Sequence, residues 1–389
     1  MTANMDWPDE GQTDAGAGAF PLLLTPGPLT TSAATKKAMT NDWGSRDVEF
    51  IALVKSIRAR LLEIACAGPD RDCVLIQGSG TFAIEAALSS FVPRDGKALV
   101  VVNGAYGKRA ARILDYLGRA YAVLEYGEAE TPDPARLEAV LAGDPALSDV
   151  FLVHCETTSG IVNPLDALCA AVRAQNRRVI VDAMSSFGAL PIDVDALGID
   201  VLVSSANKCL EGAPGFAYVL ARHDLLVRSQ GRSHSLSLDL YDQWQAMERT
   251  GQFRFTPPTH ILVAFDQALK EHADEGGVAG RGARYARNRD VLVGALSGLG
   301  FAPLLDDAHA GPIIQTFHAP RDPNFDFDRF YDALRERGYA IYPGKLTDAP
   351  AFRIGTIGAL DETVMRGVAD AIAQVLETMG VSDLAPPHR

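Results

Sequence analysis

Between about residues 72 and 220, short apolar runs alternate with segments of helical period. The runs are "CVLIQ" (73–77), "ALVVVN" (98–103), "AVLEY" (122–126), "VFLVHC" (150–155), "RVIVDA" (178–183), "DVLVSS" (200–205) and "GFAYVLA" (215–221). They are rich in Val, Ile and Leu and do not alternate with polar residues. A sheet built from them must therefore be covered on both faces. "TFAIEAALSSF", "GKRAARILDYLG", "ARLEAVLAG" and "PLDALCAAVRAQN" lie between them with the spacing of helices. This alternation predicts an α/β fold, a largely parallel sheet between helical layers, with ligands bound beyond the carboxyl ends of the strands.

The chain of 389 residues is too long for one small core. "HILVAFDQALKEHADEGG" reads as a helix stopped by Gly276–Gly277. After about residue 280 the pattern turns α+β, with a long basic-faced helix, short strands and a final helix. We therefore expect a poorly ordered tail over 1–19, a large domain with an N-terminal arm over 20–275, and a smaller domain over 276–389.

Other classes are disfavoured. A net charge of −13 argues against nucleic acid and anionic membranes as partners. No apolar run approaches the roughly 18 residues needed to span a bilayer, and the acidic tail lacks the basic and apolar regions of a signal peptide. The five cysteines are odd in number and include no C-x-x-C pair, which predicts no disulfide framework, no zinc ribbon and a reducing cytoplasm. His154, His234 and His260 form no metal pattern.

Three features fall at strand ends. In "VLIQGSGTFAIEAAL" (74–88) a strand runs through Gly78-Ser79-Gly80-Thr81 straight into a helix, a phosphate cradle of free N–H groups and hydroxyls. The stretch also matches G-x-G-x-x-A. However, the next strand ends in Asn103, where a dinucleotide site wants an acid. Asp182 stands at the exit of "RRVIVDA", and alone reads as a cap or turn residue. Lys208 follows "IDVLVSSAN", and alone reads as solvent-exposed. Together the three suit a phosphorylated pyridine cofactor, with its phosphate at the helix terminus, its ring nitrogen against Asp182 and Lys208 as Schiff-base lysine.

Longer stretches carry a resemblance: "PLLLTPGPLTTS" (21–32), "QGSGTFAIEA" (77–86), "NGAYGKR" (103–109), "HCETTSGIVNP" (154–164), "VDAMSSFGALP" (181–191), "SSANKCLEGAPGFAYV" (204–219), "HSLSLDLYDQW" (234–244), "RFTPPTH" (254–260), "IYPGK" (341–345) and "FRIGTIG" (352–358). The chain resembles the class V aminotransferases of fold type I, and among them those that move the amino group of 2-aminoethylphosphonate to pyruvate. The resemblance implies pyridoxal 5'-phosphate as cofactor and a homodimer with active sites at the subunit interface. It implies Lys208 and Asp182 as the catalytic pair. Ser79, Gly80 and Thr81 would hold the phosphate, and Tyr106 would stack on the ring where other members carry a different aromatic. Thr157, Ser205 and Asn207 would lie near the cofactor, and Thr256 would reach the phosphate of the neighbouring subunit. Arg353 would bind the acidic group of the substrate, with Ser45 and Arg46 as further substrate candidates.

The same lysine, acid and cradle serve class V enzymes that use alanine or serine with glyoxylate or pyruvate, so the residues themselves leave that reading open. A non-catalytic binding protein on this fold would be expected to lose Lys208 or Asp182, and both are present. A cysteine desulfurase needs a mobile reactive cysteine in the C-terminal half, and no cysteine follows Cys209.

Overall fold

All seven apolar runs become strands of one sheet. They are β1 (Arg71–Gln77), β2 (Lys97–Val102), β3 (Ala120–Glu125), β4 (Leu147–Val153), β5 (Arg178–Asp182), β6 (Val201–Ser205) and β7 (Phe216–Arg222). The computed structural model describes residues 20–344, 346 and 350–386, and the expected tail over 1–19 lies outside the described residues.

The spatial order is β1-β7-β6-β5-β4-β2-β3. Only β7 runs antiparallel to its neighbours β1 and β6; β6, β5, β4, β2 and β3 pair in parallel. Connection length explains the exception. A parallel return needs a crossover of a dozen or more residues, usually helical. Helices Gly80–Phe91, Ala105–Tyr116, Pro134–Gly143 and Leu165–Ala174 supply such crossovers. The link from β6 to β7, which carries Lys208, spans residues 206–215 without a helix and falls short of such a crossover, so β7 turns back beside β6.

Every residue of β6 is buried, as are Phe216–Ala221 of β7, which accounts for their unbroken apolar sequence. Helix Val48–Ile64 buries Phe50, Val54, Ile57 and Leu61, spaced to form a single stripe, against this core. A second hydrophobic core gathers Leu24 with side chains between Leu292 and Val381. Its antiparallel sheet sets Ala351–Gly355 between Ile314–His318 and Tyr342–Pro343. The arm reaches this side too, because Leu22–Leu23 pairs in parallel with Tyr339–Ala340.

Candidate active site

A cavity of about 320 Å3 opens beyond the carboxyl ends of β1, β5 and β6. That lies at the lower end of small-molecule pockets, roughly 300–1,000 Å3. Ser79, Gly80, Thr81, Tyr106, Asp182, Ser205, Asn207 and Lys208 all line it. The parallel sheet brings them together, since the exits of β1, β5 and β6 share one edge.

Helix Gly80–Phe91 starts at this wall, with Ser79 extended at its N-cap and making no side-chain capping bond. The first N–H groups of a helix lack intrahelical partners and attract anions. A Cβ on Gly80 would sit 2.5 Å from Met184 Sδ, so any side chain here would displace Met184 from the wall.

Asp182 ends β5 and is 5% exposed. Met184 N–H donates to Oδ1 at 2.9 Å. Burial pushes the carboxyl up to about 7; the Glu156 carboxylate adds to the push, while Lys208 and Arg109 oppose it. A desolvated carboxyl of this kind gains most from a cation brought within bonding reach.

Lys208 Nζ donates to the carbonyl of Pro26 at 2.8 Å, and the carbonyl of Gly27 lies at 3.5 Å. The arm thus closes over the lysine, whose ammonium faces carbonyl dipoles where the strand leaves the core. Tyr106 sits in the first turn of helix Ala105–Tyr116, its N–H donating to Glu156 Oε2 at 3.1 Å. The Arg109 guanidinium lies over the Tyr106 ring at 4.8 Å, and its Nη1 donates to Thr81 Oγ1 at 3.2 Å.

Five of the expected residues stand off the cavity wall. Thr157 is 1% exposed, and its Oγ1 has no hydrogen-bond partner among the described residues. Arg353, also 1% exposed, donates from Nε to Pro343 O at 3.0 Å and from Nη1 to Thr157 O at 2.6 Å. Thr256 is exposed, and its carbonyl accepts from Gln77 Nε2 at 2.6 Å. Ser45 is half-buried and Arg46 exposed.

Residue-level reading missed Glu156, Arg109 and the Pro26 carbonyl. Glu156 is fully buried; Thr158 donates to Oε1 from N at 3.0 Å and from Oγ1 at 2.6 Å. Burial still raises its carboxyl. An acid at an apolar strand exit, inside "HCETTSG", was the available signal. His154 is buried with Nδ1 unpartnered among the described residues, and desolvation lowers it to about 4, which keeps it neutral. Among the described residues no group of His, Cys, Asp or Glu could hold a metal.

These residues fit pyridoxal phosphate. The helix terminus suits a phosphate, Asp182 a protonated ring nitrogen and Lys208 Nζ an aldehyde carbon. The Thr157 hydroxyl is buried without a partner among the described residues, but it stands off the cavity wall and adds nothing to this fit.

The family model for class V aminotransferases matches residues 31–364. The chain is 53% identical over 369 residues to 2-aminoethylphosphonate–pyruvate transaminase 1 of Paraburkholderia xenovorans, covering 94% of this chain and 95% of the relative. It is 52% identical to the 2-aminoethylphosphonate–pyruvate transaminase of Rhizobium meliloti, covering 94% and 96%. Among solved structures, an aspartate aminotransferase from Thermus thermophilus superimposes with TM-score 0.82 at 26% identity, covering 92% of this chain and 99% of that one. A pyridoxamine–pyruvate aminotransferase from Mesorhizobium loti reaches TM-score 0.85 at 23% identity, with 93% of each chain covered, a likeness of fold alone. The chain belongs to the class V aminotransferases, pyridoxal-phosphate enzymes of fold type I.

Proposed function

We propose that this chain transfers the amino group of 2-aminoethylphosphonate to pyruvate, releasing phosphonoacetaldehyde and L-alanine in two half-reactions at one site. The observation that carries the reading is that Lys208 and Asp182 line one cavity, in a chain more than half identical to transaminases of that name.

Pyridoxal phosphate, when bound, supplies the electron sink that makes the proton on the amine-bearing carbon labile. The rest falls to the chain. Ser79, Gly80 and Thr81 hold the phosphate, with Thr256 of a second subunit completing the cradle. Asp182, as carboxylate, keeps a proton on the ring nitrogen. Tyr106 would hold the cofactor ring by stacking, and Ser205, Asn207 and Thr157 would supply polar contacts around it. Lys208 Nζ would take the proton from the amine-bearing carbon of 2-aminoethylphosphonate, and in the second half-reaction would give a proton to the pyruvate carbon that becomes the alanine α-carbon. Arg353 has spent two N–H donors on carbonyls, so three of its five remain for the acidic group.

A homodimer is supported by apolar surface near the cradle. Phe82 is 50% exposed, Phe255 43% and Leu236 75%, while Thr256 stands exposed beside Phe255. The split of the hydrophobic side chains into two main cores supports a large domain over 20–275 and a small one over 276–389. A cytoplasmic location is supported by five cysteines, all free. No helix among the described residues is long and apolar enough to cross a membrane.

The test is product formation. Purified protein with pyridoxal phosphate, 2-aminoethylphosphonate and pyruvate should yield alanine and an aldehyde in equal amounts. Alanine made from serine but not from the phosphonate would move the assignment to another class V transaminase.

A further inference from the structure

Helix Gly277–Leu299 sends Arg281, Arg284 and Tyr285 against the turn that follows Lys208. That turn is closed by Glu211 N–H donating to Lys208 O at 2.8 Å. Glu211 has φ +56°, a left-handed conformation that costs a non-glycine residue roughly 1 kcal/mol or more. Something must hold it there.

The holding contacts are buried. Arg281 and Glu211 are 1% and 4% exposed, and Tyr285 is fully buried. Arg281 Nη1 donates to Cys209 O, the residue after Lys208, at 2.6 Å. Tyr285 Oη has one proton; at 2.5 Å it goes to Glu211 Oε1, and Cys209 O lies farther off at 3.3 Å. Arg284 Nη2 donates to Glu211 Oε1 at 2.7 Å. Glu275 takes Arg281 Nε at 2.5 Å and Arg284 Nε at 2.7 Å, so two cations meet two anions.

The same side chains grip the segment that follows Arg353. Arg284 Nη1 donates to Gly358 O at 2.5 Å and to Leu360 O at 2.9 Å. Gly358 N–H donates to Tyr285 Oη at 3.4 Å. Asn288, one turn on, donates to Thr356 O at 3.1 Å and Leu360 O at 3.0 Å.

Burying Arg281 and Glu211, with Arg284 and Glu275 partly buried beside them, is a poor way to gain stability, because apolar residues of like volume often do as well or better. What charges add is direction, and here every donor points to the Lys208 turn, to the 356–360 segment or to the glutamates between them. We propose that Arg281, Arg284, Tyr285 and Glu211 are positioning residues that hold the Lys208 turn in register with the segment that continues from the Arg353 strand. The inference rests on the transaminase reading for the roles of Lys208 and Arg353.

The test uses Arg281→Lys and Tyr285→Phe in the full chain, with Arg287→Gln as control. Arg287 lies on the same helix, half-exposed, and pairs with Glu362 instead of the turn. Apo protein is mixed with pyridoxal phosphate and the growth of visible absorbance is followed without substrate. Steady-state kcat and KM are then measured.

A displacement of the lysine by about 1 Å can cost up to 100-fold in rate. Arg281→Lys should therefore colour about tenfold more slowly and lose roughly 10- to 100-fold in kcat, with KM for pyruvate within about twofold. Tyr285→Phe, the milder change, should move the same way should Arg281→Lys fail to fold. Arg287→Gln should match the parent. Both variants melting earlier yet colouring and turning over like the parent would reduce the network to a structural staple and overturn the inference. A parent that never colours would overturn the transaminase reading along with it.

Discussion

Arg353 Nη1 lies 2.6 Å from the carbonyl oxygen of Thr157. A residue expected at the cofactor thus braces the guanidinium expected at the substrate. Pro343 O fixes the same guanidinium from a second side at 3.0 Å. Lysine is a point charge and cannot hold both carbonyls while presenting a planar fork. For Arg353→Lys we expect KM for 2-aminoethylphosphonate to rise about 10- to 100-fold, the effect of losing roughly 1.5–3 kcal/mol of charged hydrogen bonding. Uptake of pyridoxal phosphate should be unchanged. Initial-rate kinetics against both substrates check this, and an unaltered KM would remove Arg353 from the substrate site.

Asp182 gives a pH signature in the apo protein. Its folded value, raised to about 7, lies above the ordinary carboxylate value of 3.8. Between those values folding takes up a proton, so this group's contribution to stability falls as pH rises and levels off above about 7. Asp182→Asn removes that dependence. The stability of the parent minus that of the variant should fall by about 1 kcal/mol between pH 6 and 7.5, then stay flat. Urea melts of both apo proteins at matched pH would show it. A difference that rises with pH would mean Asp182 is held ionised by a cation.

Much of this site was legible because its parts follow strands. Each of the seven apolar runs could be read locally, and a parallel sheet then puts Ser79, Asp182 and Lys208 on one edge whatever the details. The Pro26 carbonyl over Lys208 was not legible, since the arm meets the lysine only through tertiary packing across 182 residues of sequence. Arg109 looked like any surface cation on a helix, and only the fold sets it over Tyr106 and beside Thr81. Thr157 and Arg353 came from resemblance alone, and their contact joins segments 196 residues apart.

Gly160 marks where the loop after β4 meets the smaller sheet. Its φ is +96°, and a Cβ would lie 2.5 Å from the Ile314 carbonyl oxygen, which is backbone and cannot swing away. Gly160→Ala should therefore destabilise the protein by about 2–4 kcal/mol. Equilibrium denaturation is the check, and a loss within about 0.5 kcal/mol, typical of an unstrained surface change, would contradict the geometry.

The proposal that Thr256 completes the site of a second subunit can be tested by mixing two defective proteins. Lys208→Ala should abolish turnover, and Thr256→Ala should weaken cofactor retention in the partner's site. In a mixed dimer one site carries both defects and the other neither. Unfolding and refolding an equal mixture should restore about a quarter of parental activity, as half the dimers are mixed and each has one sound site. No recovery beyond that of the separate variants would place Thr256 within its own subunit's site or outside it altogether.

The most direct measurement of the central claim is the visible spectrum of the protein loaded with pyridoxal phosphate, taken with one substrate at a time. The yellow colour should bleach on addition of 2-aminoethylphosphonate alone and return on addition of pyruvate. Bleaching by serine, with none by the phosphonate, would leave the fold and Lys208 standing and contradict the assigned substrate.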